Sequence, residues 1–277
     1  MSRLIDRLPE PTQVLDKKVI VLSRSRVGTF SLYQALKMLG YKAYHMYEVV
    51  TSGALHMHLF EEALRCKYMD GGKPYGKAEF DKWLANYDTV VEIPQFFTEE
   101  FIQFYPDAKF ILTERDIDSW WTSMQNTAGP MMKATRTFPL TAVAKVDSFT
   151  KAFCSLHVAL ESVCFNGMTI ESETGAEYAK RDTIEISHKA KELVPADRLL
   201  VCRLEDGFGW EQICPFLGHE IPKERYPKGN APAEFQQLGK EVLMPGMLKF
   251  GAIVLSVVVI PVASAGAYYY MHVKRRP

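Results

Sequence analysis

The stretch from Lys18 to Met46 constrains this chain more than any other. It opens with Val19-Ile20-Val21-Leu22, an apolar run rich in β-branched residues, which predicts a strand buried on both faces, as in a parallel sheet. A polar turn follows, Ser23-Arg24-Ser25-Arg26-Val27-Gly28-Thr29. Leu32, Ala35, Leu36 and Leu39 then recur at helical spacing, and Gly40 ends the helix. Strand, turn and helix N-terminus in this order bind anions, because free backbone N–H groups and the positive end of the helix dipole both face the turn. With two arginines in the turn, the segment reads as a phosphate or sulfate site. An ordinary βα turn with solvated arginines is the alternative that the turn alone leaves open.

The turn differs from an ATP-binding loop, which needs Gly, four residues and then Gly-Lys-Ser/Thr. Aligned on Gly28, Ser23 stands at the first glycine, Thr29 at the lysine and Phe30 at the magnesium-holding hydroxyl. Arg26 supplies the positive charge instead. The run Arg26-Val27-Gly28-Thr29-Phe30-Ser31-Leu32, with Ala35-Leu36, Leu39-Gly40 and Tyr44-His45-Met46 behind it, resembles the phosphate-binding loop of a sulfotransferase-like P-loop family. That group is sometimes labelled NAD-dependent epimerase/dehydratase. Its members carry Arg-Thr-Gly-Thr where this chain has Arg26-Val27-Gly28-Thr29, and glycines are usual where it has Ser23 and Ser25.

A second motif lies downstream. Lys109 to Thr113 predicts a strand, and Glu114-Arg115-Asp116 to Ser123 predicts its exit and the following helix. Arg115 at a parallel strand exit suits phosphate, since its planar fork matches phosphate oxygens two at a time. The resemblance extends through Tyr105-Pro106-Asp107-Ala108-Lys109 and Ser119-Trp120, and implies that Arg115 and Ser123 hold the 3′-phosphate of a donor nucleotide. Between the motifs, Asp88 to Ile93 predicts a strand ended by Pro94. Glu92 stands at its C-terminal end, where open α/β sheets place ligands. Partial desolvation there predicts a raised pKa and a capacity to take a proton; an ion pair with Arg26 or Arg115 is the competing reading. His45, at the end of a short strand over Lys42–Met46, either faces a ligand or is a hydrogen-bonded structural residue. His56 and His58 are two apart and make a poor metal pair.

The 277 residues carry 33 basic and 33 acidic side chains, so no net basic field argues for nucleic acid. Five cysteines show no metal-site spacing, and the polar N-terminus lacks a signal-peptide core. Phe250 to Met271 has no charged residue, enough length to cross a hydrocarbon core of ~30 Å. Tyr268-Tyr269-Tyr270 and then Lys274-Arg275-Arg276 follow as interfacial anchors. The expected organisation is an irregular lead-in over 1–17, one domain over 18–230, a polar linker over 231–249, a transmembrane helix over 250–271 and a basic tail over 272–277. Segment 127–140, with Gly129, Pro130 and Pro139, predicts a lid-like connection, and 141–165 and 172–194 predict long helices.

Five strand signals, each followed by helical sequence, predict a three-layer α/β domain around a mostly parallel sheet; the resemblance makes it P-loop NTPase-like. It implies a sulfotransferase using 3′-phosphoadenosine 5′-phosphosulfate, without a metal, on a small-molecule or lipid-like acceptor. Arg26 would neutralise the leaving oxygen. Val27, Gly28, Thr29, Phe30 and Ser31 would hold the 5′-phosphate, and Glu92 would act as base, with His45 as the alternative. Both guanidinium groups would then face one groove. The C-terminal helix predicts a tail-anchored membrane protein with a cytosolic domain, and a non-catalytic membrane-tethered nucleotide-binding or scaffold module is the alternative function. A dinucleotide-dependent enzyme is disfavoured, because the turn lacks G-x-G-x-x-G and the Tyr33/Lys37 pair lies on the first helix.

Overall fold

Alternation along the first strand decides the layers. In the computed structural model, which describes residues 3–69, 71–228 and 232–272, Ile20 and Leu22 join a core with Phe60, Phe80, Phe101 and Leu156. Val19 and Val21 join another with Leu32, Leu36, Ile111 and Ile213. A strand whose two faces are both covered belongs inside a three-layer α/β sandwich.

The strands are β1 (Val19–Val21), β2 (Ala43–Tyr44), β3 (Thr89–Val91), β4 (Lys109–Glu114) and β5 (Leu199–Arg203). They form one parallel sheet in the order β2-β3-β1-β4-β5. Residue Ile20 of β1 pairs with Val90 and Phe110 on its two sides. The helices are α1 (Thr29–Met38), α2 (Met46–Thr51), α3 (Ala54–Tyr68), α4 (Lys77–Trp83), α5 (Thr98–Phe104), α6 (Ile117–Thr135), α7 (Leu140–Val143), α8 (Ser148–Cys164), α9 (Glu173–Leu193), α10 (Trp210–Leu217), α11 (Pro232–Val254) and α12 (Ile260–His272). Because β1 is central, the exits of β3, β1 and β4 lie side by side at the point where the strand order reverses, the usual ligand position in such sheets.

Three expectations are corrected. Segment 127–140 is not a lid up to Thr135, because α6 runs through Gly129 and Pro130. Its apolar face, with Trp120, Met124 and Met132, is buried against Phe165 and Ile170, and tertiary packing of that face outweighs the lost helical hydrogen bond at proline. The helix expected over 141–165 is broken at Asp147, whose side chain accepts the Thr150 N–H at 2.8 Å and so starts α8 as an N-cap. The polar linker expected over 231–249 is instead, from Pro232 onward, the first part of α11. Leu243 is buried there, Val242 and Met247 pack on the main core, and α11 lies against α6, α7 and α8.

Beyond Lys249 the chain leaves the domain. One helix over Gln237–His272 contains an 18-residue stretch of mean hydropathy 2.2, none of it buried, which makes it long and apolar enough to cross a membrane. A π-helical turn over Leu255–Val259 precedes Pro261, the local adjustment that lets a proline sit within a long helix. Asp70, Gly229, Asn230, Ala231 and the basic residues Lys274, Arg275 and Arg276 lie outside the described residues.

Candidate active site

The loop between β1 and α1 is tied down by the two serines that stand where glycines are usual. Ser23 is fully buried, and its hydroxyl accepts the Thr113 N–H at 2.7 Å, linking the loop to β4. The Ser25 carbonyl accepts the Trp120 Nε1–H at 2.9 Å, and its hydroxyl donates to Glu92 Oε1. Gly28 precedes α1 with φ +88°, and a Cβ there would lie 3.0 Å from the Phe208 ring and 3.3 Å from Leu204. Only glycine accepts both that backbone and that approach. The N–H groups of Gly28, Thr29 and Phe30 therefore stand at the first turn of a ten-residue helix, a ready anion site. Arg26 also has positive φ, +70°, a conformation costing about 1–3 kcal/mol for a non-glycine residue. The Val27 side chain is buried with Trp120 and Met124, so that residue offers the site only its backbone.

Glu92 and His45 meet across the exits of β3 and β2. Glu92, also at positive φ (+71°), is buried. His45 Nε2 lies 2.5 Å from its Oε2, and the Thr29 hydroxyl reaches Oε2 at 3.5 Å. His45 is also the N-cap of α2: its Nδ1 accepts the Tyr47 N–H at 3.0 Å, while Glu48 accepts the His45 backbone N–H. Because Nδ1 is an acceptor, the ring proton sits on Nε2. That atom lies close to Glu92 but makes no hydrogen bond among the described residues, so His45 packs against the carboxylate, with Tyr33 stacked behind it at 5.1 Å. The expected raised pKa of Glu92 is corrected. Burial pushes the carboxyl up, but the His45 contact, the Ser25 hydroxyl and the Arg26 charge together hold it below its ordinary value.

Arg115 and Ser123 both converge on Arg26. Arg115 Nη1 donates to the Arg26 carbonyl at 3.2 Å, and Arg26 Nε donates to Ser123 Oγ at 3.4 Å. The expectation of one groove holding both guanidinium groups is corrected, because they line different cavities on the two sides of the loop. Arg26 lines one of about 230 Å³, together with Ser25, Thr29, Phe30, His45 and Glu92. Arg115 lines one of about 100 Å³, together with Arg24, Thr113, Ser187 and His188. Buried Thr113 Oγ1 and Arg24 Nε lack a hydrogen-bond partner among the described residues, so this smaller cavity is short of a polar ligand. Sequence reasoning gave no role to Asp182 and Gln95. Asp182, on α9, pairs with buried Arg24, and Gln95 accepts from Arg24 at 3.3 Å. Asp182 lies 158 positions from Arg24, and no local signal announces such a pair. Ser31 lies in the first turn of α1, and Lys228 is exposed.

The larger cavity extends away from the polar groups between α2, α6, α8 and α11. Its far part is lined by Met124, Met131, Met132, Phe153, Leu160 and Val242, with Leu238 and Gly239 of α11 as a wall. His157 also lines it; its Nδ1 bonds the Phe153 carbonyl at 2.8 Å, which leaves Nε2 as the ring's acceptor. Burial pushes His157 down from 6.5 to about 4. Between those values the unfolded chain binds a proton that the folded one refuses, so stability falls as pH drops from 6.5 towards 4, by up to about 3 kcal/mol. His157→Phe is expected to flatten that part of the stability–pH curve in thermal melts; an unchanged slope would show that His157 accepts protons freely in the fold. Among the described residues no group of three or more His, Cys, Asp or Glu side chains is placed to hold a metal ion.

A βα loop at the central strand, a buried carboxylate at the exit on one side and an arginine at the exit on the other define a parallel α/β domain with its polar groups gathered at the strand exits. The sequence matches a family model described as a sulfotransferase domain over residues 18–235. It is 36% identical over 221 residues to Ava biosynthesis cluster protein M of Aspergillus versicolor, covering 76% of this chain and 79% of that protein. A crystal structure of a sulfotransferase from Alicyclobacillus acidocaldarius aligns with a TM-score of 0.43 at 12% identity, over 87% of this chain and 96% of that one. The chain belongs to the sulfotransferase domain family.

Proposed function

We propose that the protein is a sulfotransferase that uses 3′-phosphoadenosine 5′-phosphosulfate and is held in a membrane by its C-terminal helix, with the domain on the cytosolic side. The observation that carries this reading is the loop itself: Gly28 at φ +88° opening α1, with Arg26 beside it and Glu92 across the cavity. When bound, the donor supplies the sulfuryl group. The N–H groups of Gly28, Thr29 and Phe30, with the Thr29 and Ser31 hydroxyls, would hold its 5′-phosphate. Arg115 would hold the 3′-phosphate in the smaller cavity, whose unpartnered Thr113 hydroxyl and Arg24 Nε fit a polar ligand. Ser123, bonded to Arg26, would position the loop arginine. Glu92, beside His45, would take the proton of the acceptor hydroxyl as its oxygen replaces the 5′-phosphate oxygen on the donor's sulfur, and Arg26 would balance the charge that the departing nucleotide carries away.

A second reading, a non-catalytic module that serves as a scaffold, is favoured by the separation of the two arginines into different cavities. Nucleotide binding divides the two readings. Adenosine 3′,5′-bisphosphate at a hundred times its Kd is expected to add ~2.7 kcal/mol and raise Tm by about 5–10 °C, while AMP at equal concentration gives a much smaller shift. Arg115→Ala should erase that preference. A preference that survives the substitution removes Arg115 from the site, and no shift with either nucleotide overturns donor binding altogether.

A further inference from the structure

The wall that α11 gives the large cavity belongs to the same helix that leaves the domain for the membrane. Leu238, Gly239 and Val242 line the cavity. On that same helix Gly246 approaches the start of α8 so closely that a Cβ would lie 2.5 Å from Thr150 Oγ1, and Lys249 lies 3.9 Å from Asp147. Glycines two helical turns apart let α11 seat tightly against its neighbours. From Phe250 onward the helix has no charged residue up to Met271, and the part past Lys249 is largely exposed. Val242 and Phe250 are eight residues apart in one helix, which is about 12 Å along its axis. The cavity wall thus stands about two turns from the first residue of the apolar span. Away from the polar end at Ser25, Arg26, Thr29, His45 and Glu92, the lining is aliphatic, aromatic or methionine apart from His157 and Cys164, and methionine adapts to varied apolar shapes.

We infer that the acceptor is an apolar alcohol dissolved in the bilayer, which enters the cavity alongside α11 with its hydroxyl towards Glu92 and its apolar body against the methionines. This rests on the sulfotransferase reading for the reaction, while the binding site itself stands on the cavity and the helix. Carriage of the alcohol on the membrane-bound helix spares an apolar substrate passage through water.

The test uses the full chain in phosphatidylcholine vesicles and a fatty alcohol bearing a photoactivated diazirine, with labelled residues mapped by mass spectrometry. Labelling is expected at Met131, Met132 and Val242, and excess decanol should compete it away. Val242→Trp, which fills the cavity from the α11 side, should lower labelling at the two methionines by about fivefold or more while labelling of Leu255 and Val257 persists. Label confined to the span, or cavity label indifferent to decanol, overturns the inference. Adenosine 3′,5′-bisphosphate separates the two proposals. Cavity labelling without any nucleotide-induced rise in Tm leaves the alcohol site standing and removes the sulfuryl transfer. A nucleotide response with an unlabelled cavity does the reverse.

Discussion

Glu92→Gln is expected to slow sulfuryl transfer by about 10²–10⁴-fold while leaving the affinity for adenosine 3′,5′-bisphosphate within about threefold, under 1 kcal/mol. Glutamine keeps the shape and can still accept the Ser25 hydroxyl, so the loop keeps its support; what it loses is the ability to take a proton. Wild type and variant are to be compared on the same acceptor, with nucleotide affinity as the measure of an intact site. A variant that transfers at the wild-type rate would make Glu92 a structural partner of His45 and Arg26 only. The pH profile gives a second reading of the same residue. With its folded pKa held below the ordinary 4.5, the carboxylate's contribution to stability is fully present above that value. It is lost only as pH falls through the depressed one. The rate should therefore show no acid limb from Glu92 across the neutral range. A limb centred near pH 6 would mean that desolvation wins over the His45 and Ser25 contacts.

Asp182→Ala is expected to cost about 3–5 kcal/mol, because it leaves the Arg24 guanidinium buried without its carboxylate. The Arg24 side chain is only 7% exposed and that of Asp182 27%, so solvent cannot take over the pairing as it does for a surface bridge. For a chain of this size the loss should lower Tm by about 10 °C. The double variant Arg24→Met with Asp182→Leu should recover most of it, since apolar replacement removes the stranded charge. A cost below about 1 kcal/mol would place the pair with ordinary surface bridges. Because Arg24 also lines the smaller cavity, the single variant should weaken nucleotide binding too, whereas a purely remote pair would leave it unchanged.

Local features of the sequence were legible in proportion to how local their causes are. The five parallel strands follow from short apolar runs bounded by turns, and the loop at Arg26–Ser31 follows from its place between β1 and α1. Glu92, His45 and Arg115 were found because each stands within a residue or two of a strand end, and strand ends in a parallel sheet share one edge. Desolvation of Glu92 can be guessed from its neighbours in sequence, while the groups that lower its pKa (His45 from 47 positions earlier, the Ser25 hydroxyl and the Arg26 charge) are brought to it only by the fold. Gly129 and Pro130 look like a break in any window of sequence. Only the buried face that Trp120, Met124 and Met132 present to Phe165 and Ile170 shows why the helix continues. The polar stretch before the apolar span looked like a linker because its buried positions, Gly239, Leu243 and Gly246, are few and two of them carry no side chain to signal burial.

From the order of its residues alone this chain is committed to a parallel α/β sheet with an arginine-bearing strand–turn–helix loop at its centre and an apolar C-terminal helix, because period, turn chemistry and charge-free length act over a few residues at a time. Tertiary structure decided that Arg26 and Arg115 line different cavities, that His45 lies against Glu92, that Arg24 is held by Asp182, and that α11 forms a wall of the large cavity. Each of these depends on the approach of segments far apart in the chain, where the low dielectric of the interior sets which charges pair and close packing sets which helices touch.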